Sequence, residues 1–160
     1  MVTGVTYSSV EEWLQIDRFK SVEQRADKNS DYNFKVNCDG ESVHVVKPPE
    51  QEYVGVVCEH EFEPEFLSNF LSRPDHEKDE FLSRLQSVLT NAPGKYMFFD
   101  DDERPCGFVD DFRVLRFERA LFPNDSTRQR LIDTIEQFAF VRKFVGDQEG
   151  IYKSQLDAQR

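Results

Sequence analysis

The 160-residue chain carries 31 acidic against 20 basic residues, a formal net charge of −11. With 38% hydrophobic and 13% aromatic residues it has enough apolar mass for a core, which excludes wholesale disorder; seven glycines and seven prolines exclude a collagen-like or low-complexity chain. The acid excess repels phosphate backbones and anionic lipid, so no nucleic acid and no membrane is expected as a partner.

Cys38, Cys58 and Cys106 cannot form a paired disulfide framework, and none sits in a C-x-x-C spacing. With no leader pattern and no apolar run near 18 residues, the chain is expected to be cytoplasmic, in a reducing compartment. The acid surplus has two readings, ordinary solubilisation and a halophilic source, and 12 Arg against 8 Lys keeps the second open. No repeat and no Gly/Ser linker divides the chain. A single α+β domain over residues 1–150 is therefore expected, followed by a frayed tail over residues 151–160.

The first helix is predicted over residues 9–19. Ser8 and Ser9 each stand three residues ahead of a glutamate, the pattern of a capping box. Val10, Trp13 and Leu14 share a face, with Trp13 as the expected core anchor. After a weak strand over residues 21–26, Tyr32, Phe34 and Val36 alternate with polar residues. Asp39-Gly40 then signals a hairpin into Val43 and Val45, and Pro48-Pro49 ends the return strand. The apolar run over residues 53–58 predicts a central strand covered on both faces.

Proline at 64 suits a helix start, and Phe66, Leu67, Phe70 and Leu71 form a narrow stripe closed by Pro74. A longer helix follows over residues 75–90, with Phe81, Leu82, Leu85, Val88 and Leu89 on one face. Strands are predicted over residues 95–99 and 112–117, either side of the acid turn Asp100–Glu103. A last helix over residues 126–145 is capped by Asn124-Asp125-Ser126 and stopped by Gly146. Strands and helices come in groups, so the expected class is α+β, an antiparallel sheet flanked by N-terminal, middle and C-terminal helices.

Trp13-Leu14, Asn33-Phe34, Val45-Val46 before Pro48, Val54-Gly55-Val56, Phe81-Leu82 and residues 112–117 ahead of a capped helix set the order of anchors along residues 11–145. In that order the chain resembles an archaeal family known as domain of unknown function 2299. The resemblance implies a secretion-chaperone-like fold, with a strongly curved sheet, frequent dimerisation and binding of extended partner segments. It implies no activity.

No catalytic, cofactor or metal residue is assigned. His44, His60 and His76 lack helical i, i+4 spacing, and Cys58-Glu59-His60 is at most half of a zinc site without a partner spacing; strand-end filler is the plainer reading. Asp100–Glu103, joined by Asp110 and Asp111, lacks the loop pattern of a calcium site and reads as a solvated turn. No nucleophile elbow and no Gly-rich phosphate loop occurs. Arg113, Arg116 and Arg119, with Arg128 and Arg130 beyond, make a basic strip that suits a phosphate or an acidic peptide, or simple pairing with neighbouring acids.

Fifteen phenylalanines are many for one small core, with Phe62, Phe66, Phe70, Phe98, Phe99, Phe108 and Phe122 the ones in excess. Most are expected in the core, and the surplus, especially along residues 66–71, suits an exposed patch that a partner or second subunit covers. The expected function is a non-enzymatic module acting as a homodimer, protein-binding on the strength of the aromatic surplus or chaperone-like as the resemblance implies. Its candidate partner-binding residues are Phe66, Leu67, Phe70 and Leu71, and no cofactor is expected. The alternative is a small-ligand or phosphate-binding protein, or an enzyme, using the acid turn and the nearby arginines.

Overall fold

The computed structural model describes residues 6–107 and 112–158; the predicted roles of Phe108, Asp110 and Asp111 lie outside the described residues. In chain order the elements are helix α1 (Tyr7–Trp13) and strands β1 (Phe19–Gln24), β2 (Tyr32–Cys38), β3 (Glu41–Lys47) and β4 (Val54–Glu61). Helices α2 (Pro64–Leu71) and α3 (Asp75–Leu89) follow. Strands β5 (Lys95–Phe99), β6 (Pro105–Cys106) and β7 (Val114–Leu121) lead to helix α4 (Arg128–Ala158). The strands make one open, curved antiparallel sheet in the order β1-β2-β3-β4-β7-β5-β6, so the class is α+β. Tertiary contacts group the chain into two compact units. The first is Met1–Cys58, Pro93–Lys95 and Glu118–Phe140; the second is Glu59–Ala92, Tyr96–Phe117 and Val141–Arg160.

In the first unit the β2–β3 hairpin turns on Asp39 (φ 54°) and Gly40 (φ 87°), the two left-handed positions of a turn that matches strand twist. Tyr32, Phe34, Val36 and Cys38 point inward with Val43 and Val45. Across β3–β4, Val45 pairs with Val56 on the buried face and Val46 with Gly55 on the other. Helix α1 differs from expectation. Its cap is Thr6, whose Oγ1 accepts from the Ser9 N–H at 3.2 Å, and the helix stops at Trp13, leaving Phe19 to open β1. The short helix buries Val10 and Leu14 fully, and Trp13, about 100° around the helix from Leu14, is left half-buried. Arg18 ties the region together with carboxylates of Asp39 at 3.1 Å and Glu136 at 3.3 Å.

Strand β4 alternates: Val54, Val56 and Cys58 are buried, while Gly55 and Val57 are half-exposed. The expected cover on both faces is thus present on one only. Helix α4 begins after Thr127, whose Oγ1 accepts from the Arg130 N–H at 3.1 Å. It does not stop at Gly146 and runs through Gly150 to Ala158, so the expected frayed tail is helical as far as described. A glycine costs a helix interior about 1 kcal/mol, which the burial of the apolar Val141 and Val145 beside it offsets. At Gly146 a Cβ would stand 3.8 Å from His60 Cε1, so the helix passes closely over that ring.

Gly94, ahead of β5, has a different role. Its φ is +90°, and a Cβ there would stand 2.1 Å from the carbonyl oxygen of Glu118. Only glycine suits a left-handed residue pressed onto a neighbouring strand. Gly94→Ala is expected to lower stability by about 2 kcal/mol or more through combined strain and clash, read as a fall in the urea midpoint. An unchanged midpoint would mean that this loop does not rest on β7.

Candidate functional site

The half-exposed face of the sheet in the first unit holds a groove of ≈ 640 Å³, within the range of small-ligand and side-chain pockets. Val46 of β3, Gly55 and Val57 of β4, and Ala120 of β7 supply its apolar floor. Pro48 and Tyr53, from the β3–β4 connection, wall one end, and the Tyr53 ring packs on Phe122 with centroids 5.6 Å apart. Phe122 is 55% exposed, so apolar surface continues beyond the groove mouth. Lys95 and Glu118 line the other side as an ion pair at 3.3 Å. Strand register explains the arrangement. Val46 faces Gly55, and the missing side chain at 55 leaves a depression where a valine would have filled it.

The predicted partner-binding stripe divides between core and surface, which corrects the outward facing expected of Phe66 and Phe70. Phe66 and Phe70 are fully buried inside the second unit, and Leu67 and Leu71 are half-buried. Phe66 stacks on Phe62 and Phe70 at 5.6 and 5.3 Å, and Phe70 meets Phe81, Phe112 and Tyr152 edge-on at 5.1, 5.8 and 5.5 Å. Phe62, Phe66, Phe70 and Phe98 are thus taken up by a cluster of rings in the second unit, where ring pairs at such spacings add to simple burial.

The basic strip is already engaged. Arg113 bonds both Glu61, at 2.7 Å, and Asp101, at 3.0 Å. Arg116 bonds Glu59 at 2.6 Å and lies 4.5 Å over the Phe99 ring. Arg119 donates to Thr134 Oγ1 at 3.1 Å. The acid turn is organised by itself, with Asp100 Oδ1 accepting from the N–H groups of Asp102 and Arg104 at 2.9 and 3.0 Å.

The thiol and imidazole of Cys58-Glu59-His60 have separate partners. Cys58 Sγ donates to the Ser42 carbonyl at 3.4 Å, and His60 Nε2 meets Glu149 Oε2 at 2.7 Å. Among the described residues no group of three or more His, Cys, Asp or Glu is placed to hold a metal ion. Burial pushes the Cys38 thiol up, away from the reactive thiolate. The Glu149 carboxylate, 5% exposed, also accepts from the Glu63 N–H at 3.2 Å; Lys153 pairs with Glu63 beside it. Sequence reasoning missed this pair, because residues 60 and 149 meet only through the tertiary fold. A smaller polar cavity of ≈ 220 Å³ beside α3 carries its own matched pairs, Arg73–Glu77 and Arg84–Glu80.

An open antiparallel sheet with an apolar groove on its face and a long C-terminal helix defines an α+β class without a recognisable catalytic constellation among the described residues. The chain belongs to the DUF2299 family, described as "Uncharacterized conserved protein", whose profile matches residues 6–143. A crystal structure of an uncharacterized protein from Methanothermobacter thermautotrophicus has a similar fold. It matches with a TM-score of 0.72 and 14% identity, over 91% of this chain and 96% of that one. No curated protein matches the chain in sequence.

Proposed function

We propose that this chain is a non-enzymatic protein-binding module, acting as a homodimer, that takes an apolar segment of a partner polypeptide into the groove on its sheet face. The observation that carries the reading is the apolar floor of Val46, Gly55, Val57 and Ala120 continuing onto the exposed Phe122. Exposed apolar surface of this kind rimmed by charge is a mark of interaction sites. Both sheet edges are poor templates for an added strand. Exposed Lys20, Glu23 and Gln24 blunt β1, and Pro105 in β6 lacks an N–H. That favours the face over the edges.

A random twelve-residue peptide library displayed on phage tests the reading, with selection on the wild type and counter-selection on Ala120→Arg and Gly55→Leu. A Cβ at Gly55 comes only within 3.5 Å of the Val46 carbonyl oxygen, so a larger side chain fits and plugs the groove. Peptides rich in large apolar residues are expected to be enriched, with affinity falling about tenfold or more on either variant. Enrichment that ignores both variants would remove the groove from the account.

A further inference from the structure

We infer that the outer face of α4 is a self-association surface whose partner is a second copy of this chain, packed antiparallel. The inference rests on the proposed homodimer and gives it a location. On this one helix Phe140, Phe144, Asp147 and Ile151 recur at spacings of four, three and four, a seam of the kind that pairs helices. The buried Phe138, Val141, Val145 and Glu149 occupy its other side. Phe140 is 67% exposed and Ile151 46%. Only Met97 and Phe122 join them as exposed large apolar side chains among the described residues, so half of that set stands on one helix stripe. A polar outer face is the ordinary solution for a surface helix.

Charge selects the occupant. Two copies with a net charge of −11 each repel at long range, which physiological salt screens, while the seam's own charges are self-complementary at contact. With the two-fold axis between Val145 and Gly146, Phe140 lies level with Ile151 of the second copy, and Phe144 with Asp147. The Lys143 ammonium of each copy then reaches Asp147 of the other, so the one acid inside the seam is matched twice by symmetry. Gly150 is a second sign. Glycine disfavours a helix interior, and nothing stands within 4 Å of a Cβ at this position, so its own subunit does not require it. In the antiparallel pair it borders the Lys143 stem of the second copy, and its missing side chain opens the path to Asp147.

Light scattering with size exclusion, at micromolar concentration, is applied to the wild type and to the Phe140→Asp/Ile151→Asp variant, with circular dichroism as the check on folding. The wild type is expected to be a dimer, and the variant a folded monomer with the dissociation constant raised about a hundredfold. In a Cys106→Ser background, the Phe140→Cys/Ile151→Cys variant is expected to form an intermolecular disulfide. Phe140→Cys alone, kept from its own copy by the register, is not. The cross-link decides the matter if the aspartates unfold the chain. A dimer that survives the aspartates and does not cross-link overturns the α4 face and leaves the homodimer standing. A monomeric wild type overturns both, while peptide capture by the groove is scored separately.

Discussion

Phe70→Ala is expected to cost about 3–5 kcal/mol, and Phe70→Asp to abolish the folded state. The ring has no exposed surface and meets four other aromatic rings at centroid distances between 5.1 and 5.8 Å. Truncation leaves a cavity that this rigid cluster cannot collapse into, and an aspartate there would be a buried carboxylate with no donor. Domains of this size are stable by only about 5–15 kcal/mol, so the alanine variant removes a large share of the total. Urea unfolding followed by near-ultraviolet circular dichroism reads the loss as a fall in midpoint at unchanged slope. A folded Phe70→Asp variant with the wild-type midpoint would return this side chain to the surface, where a partner has access to it.

That contrast shows what periodicity carries and what it omits. Spacing at Phe66 and Phe70 specifies a helix with an apolar face, and α2 has the predicted bounds. Nothing local says whether the cover is another subunit or the rings of Phe112 and Tyr152, which are distant in sequence. The same limit explains Trp13. Once Thr6 takes the cap and Phe19 leaves for β1, the buried face rotates onto Val10 and Leu14. In β4 the continuous apolar run predicts burial on both faces. Its true sign was Gly55 beside Val57, apolar residues on a face that nothing fills, and this is where the groove lies. Gly146 misled in the opposite direction. A glycine is a helix stop only when its φ turns positive, and here it stays helical beneath His60.

The His60–Glu149 pair yields the most discriminating stability experiment. Glu149 is 5% exposed, with one oxygen 2.7 Å from His60 Nε2 and the other accepting from the Glu63 N–H. His60 is fixed in turn by its edge contact with Phe62, centroids 4.7 Å apart. Removing the imidazole leaves a buried carboxylate with a single backbone donor, so His60→Ala is expected to cost about 3–5 kcal/mol. Glu149→Leu replaces the carboxylate with apolar volume, leaving only the Glu63 N–H and the imidazole to find water, for about 1–3 kcal/mol. The double variant His60→Ala/Glu149→Leu should then be more stable than His60→Ala alone, because the stranded charge has gone. A double-mutant cycle in urea reads this directly, with an expected coupling of about 2–3 kcal/mol that exceeds the cost of Glu149→Leu alone. Strict additivity of the two substitutions would mean that the carboxylate is hydrated rather than held by the imidazole. A double variant destabilised by more than the sum of the two single costs would mean that packing, rather than charge, joins α4 to the end of β4.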